Sequence, residues 1–402
     1  MSKNKPDTVK CSIYDKVYDN IFGNKMKIAL VIKDYSLKKG GMERYVVNLS
    51  KELKKMGHEV HVLANYRDKT DDPEICFHKI SIIRFGFFIK NLSFAKNCRK
   101  VLKKDKYDII NGFSRTYPLD VYRIGHKIRR HLLQVQFSNR FLRMLKYFSI
   151  RHLTILYLER QIFKKENHKK IIANSNLGKK HANIYHHIPE DKIEVIYNGV
   201  DLNKFNLETR KLYRNELRSE YQFDEDETVL LFVGRNFKLK GVKTIIKSIA
   251  ILGQKNKNIK VLIAGKGNPS AYQRIAKKHG IEKKIIFAGE HSHIEKFYAA
   301  GDIFVFPTLY DPFANVCLEA MACGLPVITT LMNGAAEIIE EGKNGYVMKD
   351  YQSAHELADK ISAIISGGSI KEMGKYAFET AKKFTTAENA KRVETLYKKI
   401  LK

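Results

Sequence analysis

A chain of 402 residues with 44% hydrophobic and 29% charged side chains can bury substantial cores and has room for two domains, which excludes a largely disordered chain. Lys and Arg number 73 against 43 Asp and Glu, a formal charge of +30, and such a balance points to an anionic partner, either nucleic acid or an acidic membrane surface. The five cysteines form no CxxC pair, no apolar run approaches the ~18 to 20 residues that span a bilayer, and the N-terminus lacks a signal-peptide core, so we expect a peripheral protein in a reducing, cytoplasmic compartment without structural zinc.

Residues 1–24 are polar and read as an N-terminal extension. Lys27 to Ile32 then has the length and apolar character of a strand, followed by a glycine loop and a helix from Met42 to Met56 that ends at Gly57. Glu59 to Leu63 reads as the next strand, and strand, helix, strand implies parallel pairing through a right-handed crossover. The pattern recurs at Tyr107 to Asn111, Val121 to Gly125, Lys170 to Ala173 and Ile193 to Ile196. A second series follows Asn198-Gly199-Val200-Asp201, with strands at Thr228 to Val233, Lys260 to Ala264, Lys284 to Ala288, Ile303 to Phe306, Pro326 to Thr329 and Gly345 to Met348. The expected class is α/β, with two doubly wound Rossmann-like domains at 25–198 and 199–385 facing across a cleft, and a last helix, 386–402, packing back toward the first domain. In such sheets ligands lie beyond the carboxyl ends of the strands, so the loops there carry the chemistry.

Three of these loops stand out. Gly40-Gly41 precedes a helix whose N-terminus offers free N–H groups and positive dipole to an anion, although two glycines are equally an ordinary turn. Gly234-Arg235-Asn236-Phe237-Lys238-Leu239-Lys240-Gly241 holds an Arg and a Lys that can clamp a diphosphate, or form a solvated basic turn. Asp311 and Glu319 have seven residues between them, the first on a loop and the second two turns into the helix that the loop feeds. One acid near a sugar ring and one accepting hydrogen bonds from a ribose would suit this spacing; a turn initiator and a surface charge are the plain alternative. Asp224-Glu225-Asp226 precedes a strand, at the wrong end of the sheet for a metal-nucleotide site, and the histidines at 181, 186 and 187 lack ligand spacing and read as a surface helix end.

The ordered set of Gly40-Gly41-Met42-Glu43, Gly57-His58-Glu59-Val60, Asn174-Ser175, Asn198 to Asp201, Gly234-Arg235 with Lys240-Gly241, Ala264-Gly265-Lys266-Gly267, Asp311-Pro312-Phe313 and Glu319 to Val327 resembles the retaining glycosyltransferases of family 4, which have the GT-B fold. The resemblance covers about residues 26–400, and Phe113 to Gly125 with Tyr157 to Arg160 looks like the branch that adds hexoses to the lipopolysaccharide core. It implies that Arg235 and Lys240 hold the donor's diphosphate without a metal and that Gly40 and Gly41 form the glycine loop of the other domain. It further implies that Gly234 and Gly265 line the donor site, that Glu319 binds the ribose, and that the backbone N–H groups of Phe313, Ala314 and Asn315 contact the sugar. Asp311 stands where the family usually has Glu, with one methylene less of reach. His126 matches an acceptor-domain histidine, and its charge is expected to respond near neutral pH.

The positive excess is uneven: residues 1–200 carry 41 basic and 19 acidic side chains, residues 201–402 carry 32 and 24. No acid occurs between Val121 and Leu158, where eight basic residues alternate with Leu132, Phe137, Phe141, Leu145, Phe148 and other apolar side chains. Such a segment can lie on an anionic bilayer, or pack as an ordinary amphipathic helix. The expected partners are therefore a nucleotide-sugar donor, a UDP-hexose in the first instance, a glycolipid or lipopolysaccharide-core acceptor, and an anionic membrane surface met through residues 121–158. A nucleic-acid-binding protein, or a relative that cleaves or isomerises sugars, are the rival classes.

Overall fold

The computed structural model describes residues 25–68, 75–137, 139–253, 258–368 and 370–402. The chain divides into two units, one comprising residues up to Asn174, Gly178–Tyr197 and Thr386–Lys402, the other Ser175–Leu177 and Asn198–Thr385. The N-terminal extension expected at 1–24 lies outside the described residues.

The first unit is built on a seven-stranded sheet of β1 (Lys27–Val31), β2 (Glu59–Ala64), β3 (Cys76–Lys79), β4 (Ile109–Gly112), β5 (Val121–Ile124), β6 (Lys170–Ala173) and β7 (Ile193–Val195), in the order β3-β2-β1-β4-β5-β6-β7. Every pairing is parallel. Helices cover both faces, which is why β1 reads as an apolar run after Lys27 and both β1 and β2 are buried almost throughout. The helix Gly41–Lys55 buries Tyr45, Val46, Leu49 and Leu53, a three-to-four residue stripe, against this sheet. The helix Thr386–Leu401 supplies Ala390, Val393, Leu396 and Tyr397 to the same core. Its polar residues are satisfied there: Tyr397 Oη accepts from Asn111 at 2.6 Å, and Tyr45 donates to Asn389 at 2.9 Å.

The second unit has a six-stranded parallel sheet of β8 (Thr228–Val233), β9 (Ile259–Ala264), β10 (Ile285–Gly289), β11 (Ile303–Phe306), β12 (Val327–Thr330) and β13 (Gly345–Met348), ordered β10-β9-β8-β11-β12-β13. In each sheet the strand order reverses beside the first strand of the series. The switch points therefore lie between β1 and β4 and between β8 and β11, where the loops diverge and leave room for a ligand.

Two expectations change. The basic segment is three short helices, Arg129–Gln136, Arg140–Tyr147 and Ile150–Ile162, because Asn139 and Ser149 each cap a new helix start. Of the three histidines expected at a surface helix end, His187 is exposed just past the helix Asn176–His186, but the rings of His181 and His186 turn inward. His181 stacks on His131 with ring centroids 3.7 Å apart, His186 lies 4.2 Å from Phe163, and burial holds the imidazoles of His131, His181 and His186 at pKa values of about 4.

Candidate active site

The second unit's switch point brings two of the residues singled out above into contact. Lys240, on the loop after β8, donates through Nζ to the carboxylate of Asp311, on the loop after β11. Both side chains are largely shielded, and the ammonium also lies 4.9 Å from the centroid of the Phe306 ring. Backbone geometry fixes this meeting. Gly241 adopts φ +77°, and a Cβ there would run into the Pro307 carbonyl, so only glycine lets the two loops approach so closely. The carbonyl of Leu239 then accepts from Leu309 N–H at 2.9 Å and from the Thr308 hydroxyl at 3.2 Å.

The predicted glycines meet in a second close approach. Gly265 has φ +125°, and a Cβ on it would strike the carbonyl of Gly234, so the loops after β8 and β9 touch backbone to backbone. Arg235 lies apart from Lys240: its guanidinium pairs with Glu290 at 2.5 Å on the exposed rim, and Lys266 is 3.6 Å from the same carboxylate. Glu290 follows β10 and carries no motif, so nothing in the sequence pointed to it.

The turn Phe313-Ala314-Asn315 departs from expectation. Phe313 and Ala314 are buried, and the Ala314 N–H is already taken by Asn333 Oδ1 at 3.1 Å. Asn315 starts the helix Asn315–Ala322, and its Oδ1 accepts from Asn198 at 2.6 Å. The expected sugar contact through all three N–H groups is thereby corrected at Ala314. Asn333 is the organiser that sequence reasoning missed: its amide also donates to Thr329 Oγ1 at 2.9 Å, and its neighbours Met332 and Gly334 bond the backbone of Asp311. Ser175, from the Asn174-Ser175 pair, reaches the same turn and donates to the Pro312 carbonyl at 2.5 Å.

Glu319 sits two turns into its helix, as the spacing required, but it is only 6% exposed and accepts a 2.8 Å bond from the Tyr298 hydroxyl. Its negative charge adds to burial in pushing the thiol of Cys323 up. A buried carboxylate with a hydroxyl donor is a positioned acceptor, not a surface charge.

In the first unit, Gly40 caps the helix Gly41–Lys55 with extended backbone. This glycine loop lies next to the turn after β5, since a Cβ on Gly125 would collide with the terminal methyl of Met42. His126 follows that turn. Burial, then the charges of Arg115 and Arg129, hold its pKa at about 3, so the ring is neutral throughout the physiological range and the expected response near pH 7 is corrected. Among the described residues no cluster of His, Cys, Asp or Glu has the arrangement of a metal site, and the Asp226 carboxylate bonds Asn258 at 2.5 Å.

Two doubly wound parallel units with ligand-end loops at their switch points define a GT-B type fold. Family models agree with it: the model "Glycosyltransferase Family 4" matches residues 39–204 and "Glycosyl transferases group 1" matches residues 213–384. An uncharacterised glycosyltransferase of Methanocaldococcus jannaschii is 28% identical over 369 residues, covering 89% of this chain and 93% of the relative. N-acetyl-alpha-D-glucosaminyl L-malate synthase of Bacillus anthracis is 23% identical, covering 90% and 95%. Among solved structures, WaaG, a glycosyltransferase involved in lipopolysaccharide biosynthesis, superposes with TM-score 0.78 at 19% identity over 92% of this chain and 99% of its own. Anabaena HepE, solved with UDP and glucose, gives TM-score 0.66 at 22% identity over 92% and 99%. The chain is a glycosyltransferase of the GT-B type, built from the family 4 and group 1 modules.

Proposed function

We propose that the protein is a retaining hexosyltransferase that moves a hexose from a nucleotide diphosphate sugar, UDP-hexose in the first instance, to a glycolipid or lipopolysaccharide-core acceptor at the inner face of the cytoplasmic membrane. The observation that carries this reading is the Lys240–Asp311 pair at the switch point of the second sheet. A lysine ammonium held by a carboxylate is a cation positioned in advance for a leaving diphosphate, and Asp311 is the acid nearest to where the attached sugar would lie. Arg235, once released from Glu290, would supply a second cation, and Glu319 would take the ribose hydroxyls. Gly234 and Gly265 would let the nucleotide approach the backbone, and Gly40, Gly41 and His126 would belong to the acceptor side.

In this reading the acceptor hydroxyl attacks the anomeric carbon from the face that the leaving group departs, so configuration is kept. The bond from that carbon to the diphosphate oxygen breaks, and the same oxygen takes the acceptor proton. Stabilising the negative charge that builds on the diphosphate is then the main catalytic term, supplied by side chains and not by a metal. The UDP complexes of HepE support the choice of donor.

The acceptor side is supported by an unusual surface. No residue of the helix Arg140–Tyr147 is buried; Phe141 is 62%, Phe148 70% and Ile150 73% exposed. The loop before the helix Phe87–Leu102 adds Phe85, 75% exposed, and Arg151 packs 5.4 Å over the Phe87 ring. Aromatic side chains set among Arg140, Arg143 and Lys146 suit an anionic bilayer, where apolar insertion and phosphate attraction act together, better than nucleic acid. Among the described residues no helix is long and apolar enough to cross a membrane. A donor screen by mass spectrometry on wild-type, Lys240→Ala and Glu319→Gln protein, with and without EDTA, tests the reading. Undiminished turnover in both variants would overturn the site, and loss of turnover in EDTA would overturn the metal-free mechanism.

A further inference from the structure

The switch point of the first sheet collects positive charge of its own. Lys33 follows β1, Arg115 follows the end of β4, and Arg129 follows β5, so three cations project from the three loops where a doubly wound sheet takes its ligand. The loops are tied to each other: Lys33 N–H donates to Ser114 Oγ at 2.8 Å across the switch. Asp34, the acid that acts on Lys33, is itself paired with Lys39 at 2.7 Å, and Arg115 and Arg129 face a single buried carboxylate, Glu159. It accepts from Arg115 Nη2 at 3.0 Å through one oxygen and from the backbone N–H of Arg129 at 3.2 Å through the other. Lys33 Nζ instead donates to the neutral side chain of Asn91 at 2.8 Å.

Glu159 and an Asp34 already shared with Lys39 do not balance the cations gathered here, and the imbalance shows in the donors. The Nε atoms of both Arg115 and Arg129 are buried and have no hydrogen-bond partner among the described residues. A buried guanidinium donor left without an acceptor is costly, so such atoms call for an explanation. The electrostatic strain is mutual. Burial first, then Lys90 and Arg115, lower the Lys33 pKa to about 8 against the pull of Asp34, and burial first, then Arg115 and Arg151, lower that of Arg129 against the opposing pull of Glu159.

We infer that Lys33, Arg115 and Arg129 form a subsite for an anionic group, a phosphate or a carboxylate, carried by the acceptor. This rests on the proposed transfer reaction and narrows its acceptor class. The anion would neutralise the excess charge and accept from the guanidinium edges that have no partner, as a planar fork suits an oxyanion. It would thereby hold the acceptor at the ligand end of the first sheet, on the loops next to Gly41 and His126.

Calorimetric titration of the full-length protein, first saturated with UDP to occupy the donor site, tests the subsite with inorganic phosphate, malonate and glycerol 3-phosphate as probes. The expected result is saturable binding that weakens at least tenfold in Arg129→Gln and in Lys33→Met, and less than twofold in Lys104→Gln, a surface lysine of the same unit. Arg115 is left in place because its removal would strand the buried Glu159. Absence of saturable binding, or equal weakening by Lys104→Gln, would overturn the inference. Displacement of glycerol 3-phosphate by phosphatidylglycerol vesicles would assign the anion to a lipid headgroup, and no displacement would assign it to a soluble acceptor; both outcomes uphold the subsite. Failure of UDP to bind would count against the proposed transfer reaction alone, and the titration repeated without UDP would still decide the subsite.

Discussion

Lys240 and Asp311 are 71 residues apart in sequence and share a hydrogen-bonded ion pair, so the cation proposed for the diphosphate and the acid proposed for the sugar side are held as one unit before any donor arrives. Such preorganisation lowers the reorganisation needed as charge develops. We expect Lys240→Ala to reduce donor turnover by about 10²–10³, the usual scale for losing one positioned stabilising group. Asp311→Glu restores the methylene that the family pattern has; it should retain turnover but alter the relative kcat/KM for different hexoses. Unchanged sugar preference would remove Asp311 from the sugar side of the site.

Asn333 gives a prediction about stability. Its side chain satisfies the N–H of Ala314 and bonds the hydroxyl of Thr329 in a fully buried setting. Asn333→Ala leaves these groups without their partner, and we expect a loss of about 1–3 kcal/mol. Thermal unfolding should show a lowered Tm, and turnover at low temperature should fall as well because the turn carrying Asp311 loosens.

Stability should depend on pH through the buried imidazoles. His126 is held at about 3 and His131, His181 and His186 at about 4, all below the unfolded value near 6.5. Between those values the unfolded chain binds more protons than the folded one, so the stability contributed by the neutral rings is present above pH 6.5 and is lost as pH falls toward 4. Urea midpoints measured from pH 7.5 to 4.5 should decline, and His181→Phe should flatten the decline. Since His126 stays neutral, the activity profile between pH 5.5 and 8 should show no inflection that disappears in His126→Gln.

The membrane reading has its own control. Because the helix Arg140–Tyr147 contributes nothing to the core, Phe141→Ser with Leu145→Ser should leave Tm within a degree or two while reducing sedimentation with anionic vesicles several-fold. Binding that ignores lipid charge, or survives the double substitution, would count against a bilayer-docking role.

Much of this architecture was legible because parallel strands covered on both faces must be apolar throughout, as in Ala29-Leu30-Val31 and Val229 to Val233. The loops after them were legible as well, since Gly241 and Gly265 mark close backbone approaches. What escaped were features set by tertiary partners. The strand Cys76–Lys79 is half-buried and polar enough to pass for loop, and it pairs only with β2 at the sheet edge. Glu290, Tyr298 and Asn333 carry no local pattern; each matters through the residue that folding sets opposite it, namely Arg235, Glu319 and Ala314. His126 was misjudged for the same reason, because burial in the folded unit, with the charges of Arg115 and Arg129 added to it, fixes its charge state.

The helix Thr386–Leu401 has a practical consequence. It lays Tyr397 against Asn111 and Asn389 against Tyr45, and the Asn389 amide also reaches the carbonyl of Tyr197 at 2.5 Å. A chain cut after Tyr197 would therefore expose the apolar surface that Val393 and Leu396 cover and should aggregate, whereas adding a peptide of residues 386–402 in trans should recover a soluble fragment complex. The core begun by the strand Lys27–Val31 is completed by this sixteen-residue helix from the far side of the second unit's sequence, so during synthesis it cannot close until residues 386–401 have been made.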